Sequence, residues 1–205
     1  MYFKRLFFII FLTFFFLFSP KQQSFNFISI AAANDPGVYV MEITKNAIDT
    51  LTDKSIDQNK KEAKFGELFD KNFDIPSISK FVLGKYWKVA SLDQKKNFIR
   101  AFRNYIIKTY SSRFNEYSGE KLKLVNFENE SNPKIFLVHT ILERPDAPVI
   151  KVDWRIGKKK SRFVILDIII EGISLAITQR SEFVSVIDQN EGSIDQLISL
   201  LKEKS

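Results

Sequence analysis

The side chains able to do chemistry are few, and their spacing offers a reaction little to work with. The chain has one histidine, His139, and no cysteine among its 205 residues. Thiol catalysis, cysteine–zinc sites and redox work are therefore excluded, and a Ser-His-Asp triad or a multi-histidine metal site has almost nothing to be built from. His139 lies in the apolar stretch 135–142 with no second ligand nearby, which reads as a structural histidine. Asp167 and Glu171 form the one suggestive carboxylate pair, because an extended strand would point both to the same side. Acid–base catalysis could use such a pair. The simpler assignment makes Asp167 a buried or edge hydrogen-bond acceptor and pairs Glu171 with a cation such as Arg180. Lys158, Lys159, Lys160 and Arg162 could meet an anionic surface, yet a lysine-rich hairpin tip is ordinarily just solvated. No metal set and no cofactor site is expected.

The elements that must position these residues come in two textures. Residues 35–117 and the stretch from 173 onward carry helical patterning, while 121–171 reads as strands, with no internal repeat. The best-marked helix opens at Ser91-Leu92-Asp93-Gln94, a capping box in which the Ser91 hydroxyl and Gln94 amide satisfy free backbone donors. Phe98, Phe102, Tyr105, Ile106, Tyr110, Phe114 and Tyr117 then recur at spacings of three and four, one ring-rich apolar stripe. Ile75-Pro76 starts a shorter helix that Gly84 stops. A second box, Ser193-Ile194-Asp195-Gln196, opens a C-terminal helix burying Ile194, Leu197, Ile198 and Leu201.

Turn chemistry separates the strands at Asn132-Pro133, between Pro145 and Pro148, and at Gly157-Lys158-Lys159-Lys160, read as a hairpin tip. Residues 149–156 alternate, with Ile150, Val152, Trp154 and Ile156 on one face and Lys151, Asp153 and Arg155 on the other. In 163–170, Val164, Leu166, Ile168 and Ile170 share one face while Phe163, Ile165 and Ile169 load the other, as expected of a central strand covered twice. The fold predicted is α+β: a twisted antiparallel sheet of about four strands, with helices from both chain ends packed against it.

The first residues give an address. Lys4 and Arg5 precede an unbroken apolar run over 6–18, short of the ~20 residues a membrane span needs and suited to a secretory signal. Ala31-Ala32-Ala33 supplies an A-x-A cleavage pattern that would leave Asn34 first. Residues 1–33 are thus expected to be a signal peptide and 34–205 a single domain. The competing reading is an uncleaved N-terminal anchor, because Phe25, Phe27, Ile28 and Ile30 add a second apolar patch before the cut. Removing the leader lowers the formal charge of +7 by three, too mild a surplus to argue for nucleic acid.

Several segments together resemble the MlaC family of periplasmic phospholipid-binding proteins, also described as toluene-tolerance auxiliary proteins, with hopanoid-associated relatives. They are Phe73-Asp74-Ile75-Pro76, Phe81-Val82-Leu83-Gly84-Lys85-Tyr86-Trp87, Phe98 through Phe102-Arg103-Asn104-Tyr105, Tyr117-Ser118-Gly119-Glu120, Val152-Asp153-Trp154-Arg155, Asp167-Ile168-Ile169-Ile170-Glu171-Gly172-Ile173-Ser174, and Thr178-Gln179-Arg180-Ser181-Glu182-Phe183. Each alone is weak; the ordered set, over nearly all of 65–201, is strong. Two departures are the long leader and Phe163, where the family often has tryptophan.

The resemblance implies a carrier, not an enzyme. It would shuttle phospholipid between an outer-membrane lipoprotein complex and an inner-membrane ABC transporter complex, maintaining outer-membrane lipid asymmetry. An apolar lipid pocket between sheet and helices is implied. The expected lining is Phe98, Phe102, Ile106 and Tyr110 from the helix, Val152, Trp154, Ile168 and Ile170 from the sheet, and Tyr86 and Leu175 at the ends. Lys95 is the candidate headgroup contact. The alternatives are a membrane-tethered adaptor that uses the apolar run and the basic hairpin, and a hydrolase built on Asp167 and Glu171.

Overall fold

The computed structural model describes residues 35–111, 119–145 and 147–205. The leader, its cleavage site, and Phe114 and Tyr117 of the aromatic stripe lie outside the described residues. No helix among the described residues is long and apolar enough to cross a membrane.

Helices come first: α1 (Pro36–Leu51), α2 (Gln58–Asn72), α3 (Ile75–Leu83), α4 (Tyr86–Val89) and α5 (Leu92–Ser111). Four strands follow as an antiparallel meander, β1 (Lys121–Asn129), β2 (Ile135–Arg144), β3 (Ala147–Lys159) and β4 (Arg162–Ile170), then a two-residue β5 (Ile173–Ser174). Helices α6 (Leu175–Gln189) and α7 (Ile194–Glu203) end the chain. The sheet runs β1-β2-β3-β4-β5, antiparallel throughout and open. This is the α+β fold expected, with a short fifth strand added.

Local chemistry sets the helix starts. In the first capping box the Gln94 N–H donates to Ser91 Oγ (3.1 Å) and the Ser91 N–H to Gln94 Oε1 (3.0 Å), a reciprocal pair that fixes the start of α5. Asp35, Asp57, Asp74, Ser174 and Ser193 cap α1, α2, α3, α6 and α7. In the last helix Ile194, Leu197, Ile198 and Leu201 are all buried, as the spacing predicts.

Two features of the sheet correct the sequence reading. Arg155 pairs with Asp167 but Ile156 pairs with Ile165, so Leu166 is an extra residue, a β-bulge. The bulge resets the alternation: Phe163 and Ile165 share the face of Ile168 and Ile170, while Val164 and Leu166 turn to the other side. The lysine hairpin also turns later than expected. β3 continues through Gly157 to Lys159, and the turn falls at Lys160, whose φ is +56°. Gly157 is buried inside the strand, and a side chain there would be crowded, since a Cβ would meet Leu166 at 3.0 Å.

Among the described residues apolar packing forms three clusters. The largest joins α3, α5, α6 and α7 around Phe98, Phe102 and Phe183. The second sets Val40 of α1 on Val138, Ile156, Phe163 and Ile165 of the sheet. The third packs Phe69 of α2 with Ile75 and Ile107.

Candidate functional site

The register arranges the sheet's two faces differently. On one, three cross-strand rows stack as Phe136–Ile156–Ile165, Val138–Trp154–Ile168 and Thr140–Val152–Ile170. Apart from Thr140 these three rows are aliphatic and aromatic. The Thr140 hydroxyl donates to the Val152 carbonyl at 2.5 Å and accepts the Trp154 indole N–H at 3.1 Å, so no polar atom of this trio is left facing the apolar side. The reverse face carries charged groups among aliphatics such as Leu137 and Ile141. His139 stands 2.8 Å from Asp153 through Nδ1, and Arg155 bridges Glu130 (2.7 Å) and Asp167 (3.4 Å).

Helix α1 covers one end of the apolar face. Tyr39, Val40 and Ile43 pack there, and a Cβ on Gly37 would meet Leu124 of β1 at 2.9 Å. Burial pushes the Tyr39 hydroxyl up to about 12, against the lowering charge of Arg162; the hydroxyl lies 3.3 Å from both the Asn72 main-chain carbonyl and Asn72 Oδ1 as acceptors. Farther along the face, Trp154, Ile168 and Ile170 stay only half-buried.

Backbone pairing seats the helix layer beside the sheet. Phe73 bridges to Ile165, and the Asp74 N–H donates to the Ile165 carbonyl at 3.1 Å. The Phe73 ring then packs against both the sheet cluster and the α2–α3–α5 cluster, against which Ile106 also packs. Asp74 accepts from Ser77 Oγ (2.7 Å) and from Lys159 Nζ (2.9 Å). Burial alone would raise this carboxyl, but the Ser77 and Lys159 hydrogen bonds and the lysine charge outweigh it and hold it below the ordinary carboxylate range.

The ten residues expected to line one surface fall into separate places. Val152, Trp154, Ile168 and Ile170 come together as two adjacent cross-strand pairs. Phe98 and Phe102 belong instead to the helix core, stacked 5.9 Å apart with Phe183 edge-on to both. Tyr86 packs against that core and donates to Asp188. Ile106 borders the helix core and the α2 cluster, Tyr110 is half-buried near the end of α5, and Leu175 is half-buried at the start of α6. Lys95 lies over the Trp87 ring at 5.6 Å.

The carboxylate pair is not formed. Glu171 leaves the strand in a turn with φ +50°, and its carboxylate accepts from the Lys151 N–H. Asp167 is a buried acceptor for Ser174 Oγ (2.5 Å) and the Ala176 N–H (2.9 Å) at the start of α6. Arg180, expected beside Glu171, instead donates to the Phe81 carbonyl and stacks on that ring at 5.0 Å. Among the described residues no group of three His, Cys, Asp or Glu could hold a metal.

Helices against the sheet are expected from the residues, but neither Tyr39, Val40 and Ile43 as the cover nor the Phe73 link is named by them. Asp74 ahead of Pro76 signals the start of α3, a capping residue one position before the helix, but nothing local signals the bridge.

Comparison with known proteins agrees with this architecture. The intermembrane phospholipid transport system binding protein MlaC of Haemophilus influenzae is 27% identical over 128 residues, 60% of this chain. The match spans 58% of that relative's own length. A phospholipid-binding protein from Ralstonia solanacearum, solved in complex with a phospholipid, superposes with a TM-score of 0.65 over 80% of this chain and 95% of that one. At 20% identity that likeness is one of fold. The model of the MlaC protein family matches residues 41–203, and the chain belongs to that family.

Proposed function

We propose that this protein is a periplasmic phospholipid carrier. The observation that carries the reading is the apolar sheet face, where Val152–Ile170 and Trp154–Ile168 form adjacent pairs and three of the four stay half-buried. Soluble domains ordinarily fill such a face with their own side chains. Here the acyl chains of one phospholipid complete it, lying against these pairs, with Ile106 and Tyr110 on the helix side. Phe98 and Phe102 stiffen the helix behind the pocket. The half-buried Tyr110 ring near the end of α5 suits the mouth as an amphipathic side chain.

The physics requires a shaped, dry site rather than a nucleophile. Two acyl chains carry about 28 methylenes at about 0.8 kcal/mol each, so crossing water bare costs on the order of 20 kcal/mol. A carrier whose pocket matches the bilayer turns extraction into a nearly neutral exchange. Phospholipid is its cargo and no cofactor is needed.

The leader over 1–33 places this work in the periplasm after cleavage behind Ala33. There the carrier exchanges lipid between an outer-membrane lipoprotein complex and an inner-membrane ABC transporter complex. The names of the Haemophilus and Ralstonia relatives support the cargo and the transport role.

A transfer assay tests the proposal. Donor vesicles holding labelled phospholipid are mixed with the protein, and label is followed into the separated protein and then into acceptor vesicles. Uptake of about one lipid per chain with onward delivery is expected. Absence of label from the protein at any ratio contradicts the proposal.

A further inference from the structure

We propose that the turn joining α4 to α5 is a membrane-docking tip, which inserts Val89 and Leu92 into an anionic lipid surface. These two are each 75% exposed, well beyond the next large apolar residue, Val125 at 58%. Val89 and Leu92 stand three residues apart in a frame of polar residues, an arrangement suited to shallow insertion into a bilayer.

The tip is held in shape rather than loose. The Ala90 N–H donates to the Tyr86 carbonyl at 3.0 Å, and the Ser91–Gln94 capping box follows at once. Ala90 between the two prongs is buried, which turns its neighbours outward. The prongs therefore cannot fold back onto the core without breaking a helix end.

The charges around the tip choose between partners. From 85 to 96 the chain carries Lys85, Lys88, Lys95 and Lys96 against Asp93 alone. Lys85 is paired with Asp188 at 2.9 Å, and Asp195, nearby on α7, accepts from the Gln94 amide at 2.8 Å. Lys88, Lys95 and Lys96 make no ion pair among the described residues. Lysine is depleted from protein–protein interfaces. It is favoured beside anionic lipid, where aliphatic insertion and lysine attraction reinforce each other. The half-buried Trp87 under Lys95 adds a side chain typical of the bilayer–water boundary. A bilayer fits this combination better than a protein does. The inference stands on its own observations: a chain that carries no lipid could still dock this way.

The absence of native cysteine allows a local test on the full chain. Leu92→Cys and, as a control on the exposed edge strand, Asn129→Cys are each labelled with an environment-sensitive dye. Vesicles of phosphatidylcholine, with or without phosphatidylglycerol, are then added. A rise of about twofold or more in emission at position 92 with phosphatidylglycerol, and little at 129, is expected for insertion. No response at 92, or equal responses at both positions, overturns the proposal, as does a response to a partner protein but not to vesicles. In a second measurement Val89→Ser/Leu92→Ser should lower the affinity for phosphatidylglycerol vesicles about tenfold relative to the unsubstituted chain, and unchanged affinity overturns the proposal. Bound phospholipid, read by mass spectrometry on the same samples, reports separately on the carrier reading.

Discussion

The Trp154 indole N–H donates to the Thr140 hydroxyl 3.1 Å away, across the β2–β3 ladder. Thr140 is 1% exposed and passes its own proton to the Val152 carbonyl. This relay lets a large ring lie on an apolar face with its one polar atom satisfied. Removing the hydroxyl strands the indole donor.

Thr140→Val is therefore expected to lower unfolding stability by about 1 kcal/mol, the usual net loss of a part-buried hydrogen bond. Thr140→Ser keeps the relay and should lose clearly less. Chemical denaturation of both variants, followed by Trp fluorescence, measures the difference.

The helix and sheet halves of the expected lining should respond differently to substitution. Phe98→Ala removes a fully buried ring from the helix core and should cost about 3–5 kcal/mol. Ile170→Glu, at a half-buried position on the sheet face, should cost less stability yet abolish lipid loading. Denaturation midpoints and lipid content measured on the same samples separate the two effects.

Acid should weaken the link between α3 and the lysine hairpin. The Asp74 carboxyl is held below the ordinary carboxylate range by Ser77 and Lys159 against the opposing effect of burial. Its folded value thus lies under its unfolded one. The stabilisation is fully present above about pH 4 and disappears as the pH falls through the folded value. Stability compared at about pH 7 and about pH 3 should drop further in the unsubstituted chain than in Asp74→Asn.

Among the glycines at positive φ, Gly84 and Gly172 differ in their surroundings. Gly84 ends α3 at φ +59°, and a Cβ there would meet Val184 at 3.2 Å and Arg180 at 3.3 Å. Gly172 sits at φ +79° with nothing within 4 Å of an added Cβ. Gly84→Ala should cost about 2–3 kcal/mol through strain and crowding, and Gly172→Ala about 1 kcal/mol through backbone strain alone. Thermal unfolding of the pair ranks them.

What was legible in the sequence was what neighbours in the chain decide. Ser91 and Gln94 meet within one turn, and the spacing of Ile194, Leu197, Ile198 and Leu201 names its own buried stripe. The alternation of Ile150, Val152, Trp154 and Ile156 likewise gives the β3 face, because successive residues of a strand point oppositely. Illegible features depended on partners far along the chain. The bulge at Leu166 is fixed by pairing with β3, and no local signal announces it. Asp74 and Lys159 are neighbours only once the hairpin reaches the helix layer. The apolar stripe of α5 looked like a single surface. Phe183, from a helix about 80 residues later, fills the space beside Phe98 and Phe102 and makes that part of it core.

Native mass spectrometry of protein purified from the periplasm of a lipid-bearing host tests the central claim most directly. A chain beginning at Asn34, with one phospholipid mass added and released intact into organic solvent, is the predicted result. Protein that arrives bare, and stays bare after incubation with phospholipid vesicles, would contradict the account.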